Sequence, residues 1–271
     1  MDGHAVASAS LALRSLKTSH GKDARRFGNK RTFVCVVCRE CPKALQEDAM
    51  FVGHYGVSFA VAGKSKKGRL AALFVAVQLL DFVWALFILA GIEKARILPH
   101  LLPASSLDLY YMPWTHGLVT ALLWAIAGGA GYAILVSLRG ERFQSRIAAF
   151  IFGVAVFSHW LLDLVAHRPD LPLWGNEYKV GMGLWHSVVA TLVVELGLLA
   201  AGALYYLRSK QGPGLARKTW LLVAVLCVIE VFNILGPVPA GMAGVAVSAF
   251  AAYTVFAAWA GWIDRSAVAS A

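Results

Sequence analysis

The sequence predicts an all-α, polytopic membrane helix bundle: about six transmembrane helices preceded by one short membrane-embedded helix. Three observations carry this. Of the 271 residues, 59% are hydrophobic and 15% charged, with a mean hydropathy of +0.64, too apolar for an ordinary soluble domain. Apolar runs recur from Phe51 onward, most of them near the roughly 20 residues that cross a hydrocarbon core. The loops between them alternate in Lys and Arg content, as cytoplasmic and exoplasmic loops do. The formal net charge of +10 has the same origin. No recognition-helix or RNA-binding motif accompanies it, so nucleic acid is excluded as a partner and membrane lipids take its place.

Residues 1–49 stand apart. They are polar, carry Arg14, Arg25, Arg26 and Arg31, lack a long apolar run, and read as disordered. Asp2 and Asp23 count against a transit peptide, and no secretory apolar core is present. The expected native start is therefore Met50, with 1–49 an upstream extension of the reading frame. Cys35, Cys38 and Cys41 form a CxxCxxC string resembling half of a zinc or iron–sulfur motif, without a fourth ligand nearer than His20.

Phe51 to Gly63 is apolar but too short to span, so it reads as a half-helix or re-entrant segment. Spanning segments follow at about 70–92, 115–138, 147–166, 184–207, 219–236 and 240–263. The short loop Gly236-Pro237-Val238-Pro239 predicts a tight hairpin of the last two. Lys64, Lys66, Lys67 and Arg69 in one loop, Arg139, Arg142 and Arg146 in another, and Arg208, Lys210, Arg217 and Lys218 in a third mark the cytoplasmic side. The C-terminus joins that side, and the 93–114 and 167–183 loops face the other.

At 1.5 Å per residue this orientation gives depths from the cytoplasmic edge: about 15 Å for His54, 18 Å for Asp81, 20 Å for His159 and 26 Å for Asp163. His116 and His186 open their helices on the exoplasmic side. All six lie between the midplane and the outer surface, where they can converge. His159, Asp163 and His167 are spaced i, i+4, i+8 and share one helical face. Imidazoles and carboxylates at such depth are costly and are functional candidates by default. Two nitrogens and a carboxylate on one face suit a divalent metal or a proton relay.

Each residue also has a plainer reading. Gly53-His54-Tyr55-Gly56 can be an interfacial helix start, and His159 with Asp163 a salt bridge within one helix. Thr115 can N-cap a helix and leave His116 facing water. Asp108, His167 and Asp170 can simply be solvated, and Arg168 can hold an anionic group or snorkel to headgroups. Glu195, Glu230 and Asn233 are read as polar groups that pair across helices or hold them together.

Gly53-His54, Asp81, Thr115-His116, then Ser158-His159 with Asp163 and Pro169, in this order, resemble the motifs of the membrane-bound metal-dependent hydrolase family of bacterial inner membranes (YdjM-like). The resemblance covers about 53–175. Asp81 stands where that family has an Asp-x-Asp-His cluster, Met112, Pro113 and Trp114 replace an arginine and a further histidine, and Gly117 replaces a serine. His167 or Asp170 is then available as a missing ligand. Residues and resemblance together lead to one expectation: a divalent metal, zinc first, held by His54, Asp81, His116, His159 and Asp163. Asp170 or His186 would act as general base, on a lipid or lipid-linked substrate. The alternatives are an ion- or proton-coupled transporter using the same residues, and a non-catalytic membrane protein.

Overall fold

The computed structural model describes residues 52–64, 69–140 and 142–269. The expectations for residues 1–49, including Cys35, Cys38 and Cys41, lie outside these. The described chain is mostly helical. Helix α1 (His54–Lys64) is followed by α2 (Leu70–Val77) and α3 (Leu79–Leu89), then a hairpin of β1 (Lys94–Leu102) and β2 (Ser105–Tyr111). Next come α4 (Leu118–Leu138), α5 (Arg142–Ala166), α6 (Val188–Ser209), β3 (Lys210–Gln211), α7 (Leu215–Leu235), α8 (Met242–Asp264) and β4 (Val268–Ala269), which pairs with β3. Among the described residues five helices are long and apolar enough to cross a membrane, and α2 with α3 make a sixth span if that pair, bent by 50°, is counted as one. The chain is thus an integral membrane protein. Large apolar side chains such as Ile126, Leu138 and Phe150 point outward, as a bilayer rather than water allows.

Helix α1 is buried along most of its length, with His54, Tyr55, Ser58 and Phe59 all inside, and it packs against α6, α2 and α5. Its contact with α6 is backbone-close. A Cβ built on Gly202 would lie 2.1 Å from the Gly56 carbonyl oxygen, so only glycine lets the two helices approach this far. The break between α2 and α3 falls at Gln78, and the amides that open α2 are capped from α8, where the Asp264 carboxylate accepts from Leu70 N (2.9 Å) and Ala71 N (3.0 Å).

Two sequence expectations are corrected. The 93–114 segment, expected as a connecting loop of an all-α bundle, folds as the antiparallel β1–β2 hairpin, so the described chain is mostly rather than purely α. Arg96 and Asp108 sit opposite each other in its register and pair at 2.6 Å, a cross-strand link that periodicity, interrupted by Pro99, does not reveal. The last two helices are consecutive but not a tight hairpin. Pro237 and Pro239 cannot continue a helix, and α8 packs on α2 and α3 while touching α7 sparsely. The space left between α7 and α8 becomes a cavity.

Candidate metal centre

Helix α5 contributes His159 and Asp163, one turn apart on its buried face; α3 contributes Asp81, the loop before α4 contributes His116, and α1 contributes His54. The structure brings all five together. His116 Nε2 and His159 Nε2 lie 3.3 and 3.5 Å from Asp81 Oδ1, and 3.6 and 3.1 Å from Asp163 Oδ2. His54 Nε2 approaches the other Asp163 oxygen, Oδ1, at 3.4 Å. Two overlapping triads result, His54/His159/Asp163 and Asp81/His116/His159, each with ligand atoms within 4.8 Å of one another. The set is deeply buried except at Asp81, whose side chain is 19% exposed and turns toward the cavity.

Two of the rings and one carboxylate are held from behind. His159 Nδ1 lies 2.6 Å from the Val77 carbonyl, which the helix break at Gln78 leaves available; its Nδ1–H donates there, so Nε2 turns its lone pair to the acids. The His116 ring is set through a chain of two bonds. Its Nδ1 lies 2.7 Å from Thr115 Oγ1, and that hydroxyl donates to Glu93 Oε2 at 2.6 Å. Glu93, buried at the end of the α3–β1 turn, also accepts from the Trp114 and Thr115 amides (2.8 and 2.9 Å). Thr115 therefore does not cap α4, which begins at Leu118 with Gly117 as its N-cap. Tyr253 of α8 donates its hydroxyl to Asp81 Oδ2 at 2.9 Å, leaving Oδ1 for the imidazoles.

The spacing itself discriminates between an ion-pair cluster and a ligand set. A direct charge-assisted N–H···O bond closes to about 2.7–2.9 Å. Four donors placed tetrahedrally at 2.0–2.1 Å from one ion stand about 3.3–3.4 Å apart. The four contacts among Asp81, His116, His159 and Asp163 run from 3.1 to 3.6 Å and close into a ring. Asp163 Oδ2 is buried with two imidazole nitrogens beside it, yet it accepts no hydrogen bond, because 3.1 Å to His159 is within range in distance but not in direction. Either triad could hold a divalent ion, His54, His159 and Asp163 in one and Asp81, His116 and His159 in the other, with His159 common to both.

Compared with family models, curated proteins and solved structures, this chain has no match in any of the three. Its chemistry is therefore read from the residues alone.

The cluster lies at one end of a cavity of about 780 Å³ bounded by α3, β2, the loop before α4, α7 and α8. His167 also lines it and is buried rather than solvated. Its Nδ1 donates to Asp170 Oδ1 at 2.9 Å, and its ring stands 4.3 Å from Trp185 and 6.5 Å from His116 between centroids. Burial alone would lower the His167 pKa, but the bond to Asp170 and the surrounding carboxylates overcome it and raise it. Asp170 itself is committed to His167 and, at 3.2 Å, to Arg168. Arg168 in turn reaches Asp108 Oδ1, so Arg96, Asp108, Arg168 and Asp170 form one ion network rather than an anion site or a headgroup anchor. His186 is not brought to the cluster: it is exposed, with its ring on the Gly183 carbonyl, and Ser187 caps α6. Glu195 and Glu230 are fully buried and interact across α6 and α7, and Glu195 accepts from Val52 N at 3.2 Å. Sequence reasoning missed Glu93 and Tyr253 as part of the site, and it named His167 and Asp170 singly without their pairing. Only that pairing left a signal, in its i, i+3 spacing.

Proposed function

We propose that this protein is a membrane-embedded, metal-dependent hydrolase whose centre is formed by Asp81, His116, His159 and Asp163 with His54 in support. The observation that carries this is the ring of 3.1–3.6 Å contacts whose imidazoles are each held at Nδ1 by a buried acceptor. A divalent ion, zinc first, would supply a Lewis acid for a carbonyl or phosphoryl oxygen and acidify a water molecule at neutral pH. The residues around it do the rest. Asp81 stands at the cavity edge, where a substrate would approach the centre. Tyr253 keeps Asp81 oriented. His167, whose pKa is raised by its bond to Asp170, would give a proton to the departing oxygen or nitrogen as water adds across the bond and the acyl or phosphoryl group takes the hydroxyl. Asp170 is a positioning residue here, and His186 has no part.

The test is metal content. Purified full-length protein should carry about one equivalent of zinc, lost in both Asp81→Ala and His159→Ala while circular dichroism and detergent-solution size stay unchanged. Protein without metal that drives proton-coupled uptake in vesicles, abolished by the same substitutions, would end this reading in favour of a transporter.

A further inference from the structure

Away from the cluster the cavity wall is apolar, formed by side chains such as Leu107, Leu109, Ile229, Phe232 and Val245. Two N–H groups interrupt it. Asn233 of α7 and Trp185, in the 3-10 turn before α6, both line the cavity at 5% and 4% exposure. In the assigned amide orientation, neither Asn233 Nδ2 nor Trp185 Nε1 has an acceptor among the described residues. Trp185 is no loose rotamer: its ring lies against His167, and its carbonyl accepts from Ala104 N at 3.1 Å. Buried donors are costly to leave unpaired, so a bound molecule that brings acceptors is strongly favoured there.

The lining also restricts what that molecule is. Among the described residues no lysine or arginine faces the cavity, while Asp81 and Asp163 do. An anionic headgroup would thus meet two carboxylates, and the one cavity imidazole with a raised pKa, His167, is already paired with Asp170. Neutral N–H donors suit a carbonyl. The volume lies within the range of enclosed small-molecule sites. Phe232 both lines the cavity and is 47% exposed, and α7 touches α8 sparsely, which gives an apolar tail a route from the bilayer.

We infer that this cavity binds an uncharged long-chain acyl ester or amide, its tail along the α7–α8 wall and its carbonyl-end oxygens accepting from Asn233 Nδ2 and Trp185 Nε1. This deepens the hydrolase reading by naming its substrate class and rests on that reading for the chemistry, but not for the binding. It is tested on the full chain stripped of metal with EDTA, by equilibrium binding of radiolabelled oleamide with hexadecyl phosphate as competitor. Oleamide should bind saturably and at least about 10-fold more tightly than hexadecyl phosphate; Asn233→Leu and Trp185→Phe should each weaken it about 10-fold, the loss of one well-made hydrogen bond. Ala249→Trp, which fills the apolar wall, should abolish binding. Absence of saturable binding, equal affinity for hexadecyl phosphate, or unchanged affinity in all three folded variants would overturn the inference. Zinc measured on the same protein before stripping separates the two readings. Zinc without oleamide binding removes the acyl site and keeps the metal centre; oleamide binding without zinc keeps the acyl site and removes the hydrolase.

Discussion

A single hydroxyl connects the proposed ligand His116 to its buried support, and Thr115→Val removes it while keeping the shape of the side chain. In the folded protein, Thr115 Oγ1 lies 2.7 Å from His116 Nδ1 and 2.6 Å from Glu93 Oε2. The substitution leaves an imidazole N–H without a partner and takes away one of three hydrogen bonds that Glu93 accepts. The remaining two amide bonds keep Glu93 in place, so the expected loss of stability is that of one buried donor, about 1–3 kcal/mol. The larger consequence is for the ion. Outer-shell partners of ligating histidines contribute about 10–100-fold in affinity, or roughly 1.4–2.8 kcal/mol. Zinc competition against a chromophoric chelator reads the second quantity, and thermal unfolding of the same preparation reads the first. Thr115→Ser restores the hydroxyl and should recover most of the affinity. If the valine variant is folded and binds zinc within a factor of two of the parent, His116 is not a ligand oriented in this way.

Three further outcomes follow from the geometry. Gly202→Ala would place a methyl 2.1 Å from the Gly56 carbonyl and force α1 away from α6, at a cost on the order of several kcal/mol, read as a fall in melting temperature together with lost zinc, since α1 carries His54. The His167 pKa is raised on folding, so the stability its pairing with Asp170 provides is complete below about pH 6.5 and is lost as pH rises through the elevated folded value. Unfolding measured from pH 6 to 9 should show that decline in the parent and a flatter profile in Asp170→Asn. Glu230→Gln should keep its zinc and lose no stability, because Glu195 and Glu230 are two acids facing each other across two helices, away from the ligand triads; a zinc content below half would place them in the centre.

The residue types of the site were legible in the sequence. Charge alternation in the loops and helical rise led to the expectation that His54, Asp81, His159 and Asp163 can converge, and the structure brings these four together. That reasoning needs no knowledge of which helix touches which. It fails wherever a contact depends on packing. Tyr253 reaches Asp81 across 172 residues, and nothing in the α8 sequence distinguishes this tyrosine from an interfacial anchor. Glu93 carries no signal in the sequence, since the hairpin that begins beside it is itself hidden by Pro99. His167 was read as solvated for a related reason. The membrane edge does not imply water when the 167–183 segment folds back, with Leu171 bridging Val180, over the end of α5.

The break at Gln78 shows why the most apolar helical stretch of the chain is the one interrupted. In an unbroken helix from Leu70 to Leu89, the Val77 carbonyl would accept from the Asp81 amide, as every carbonyl does from the residue four ahead. The bend of 50° releases it, and His159 Nδ1 takes it at 2.6 Å. The same break makes Leu79 the start of a new helix and puts Asp81 in its first turn, where the unpaired amides and the helix dipole favour a carboxylate. One interruption therefore fixes the orientation of a histidine on α5 and holds an acid on α3 beside it. A continuous span could do neither, since its backbone would be fully paired and Asp81 would lie in mid-helix without that stabilisation. The half-turn of lost helical pairing is the condition for building a polar centre at this depth, and the ordered imidazoles are its direct product.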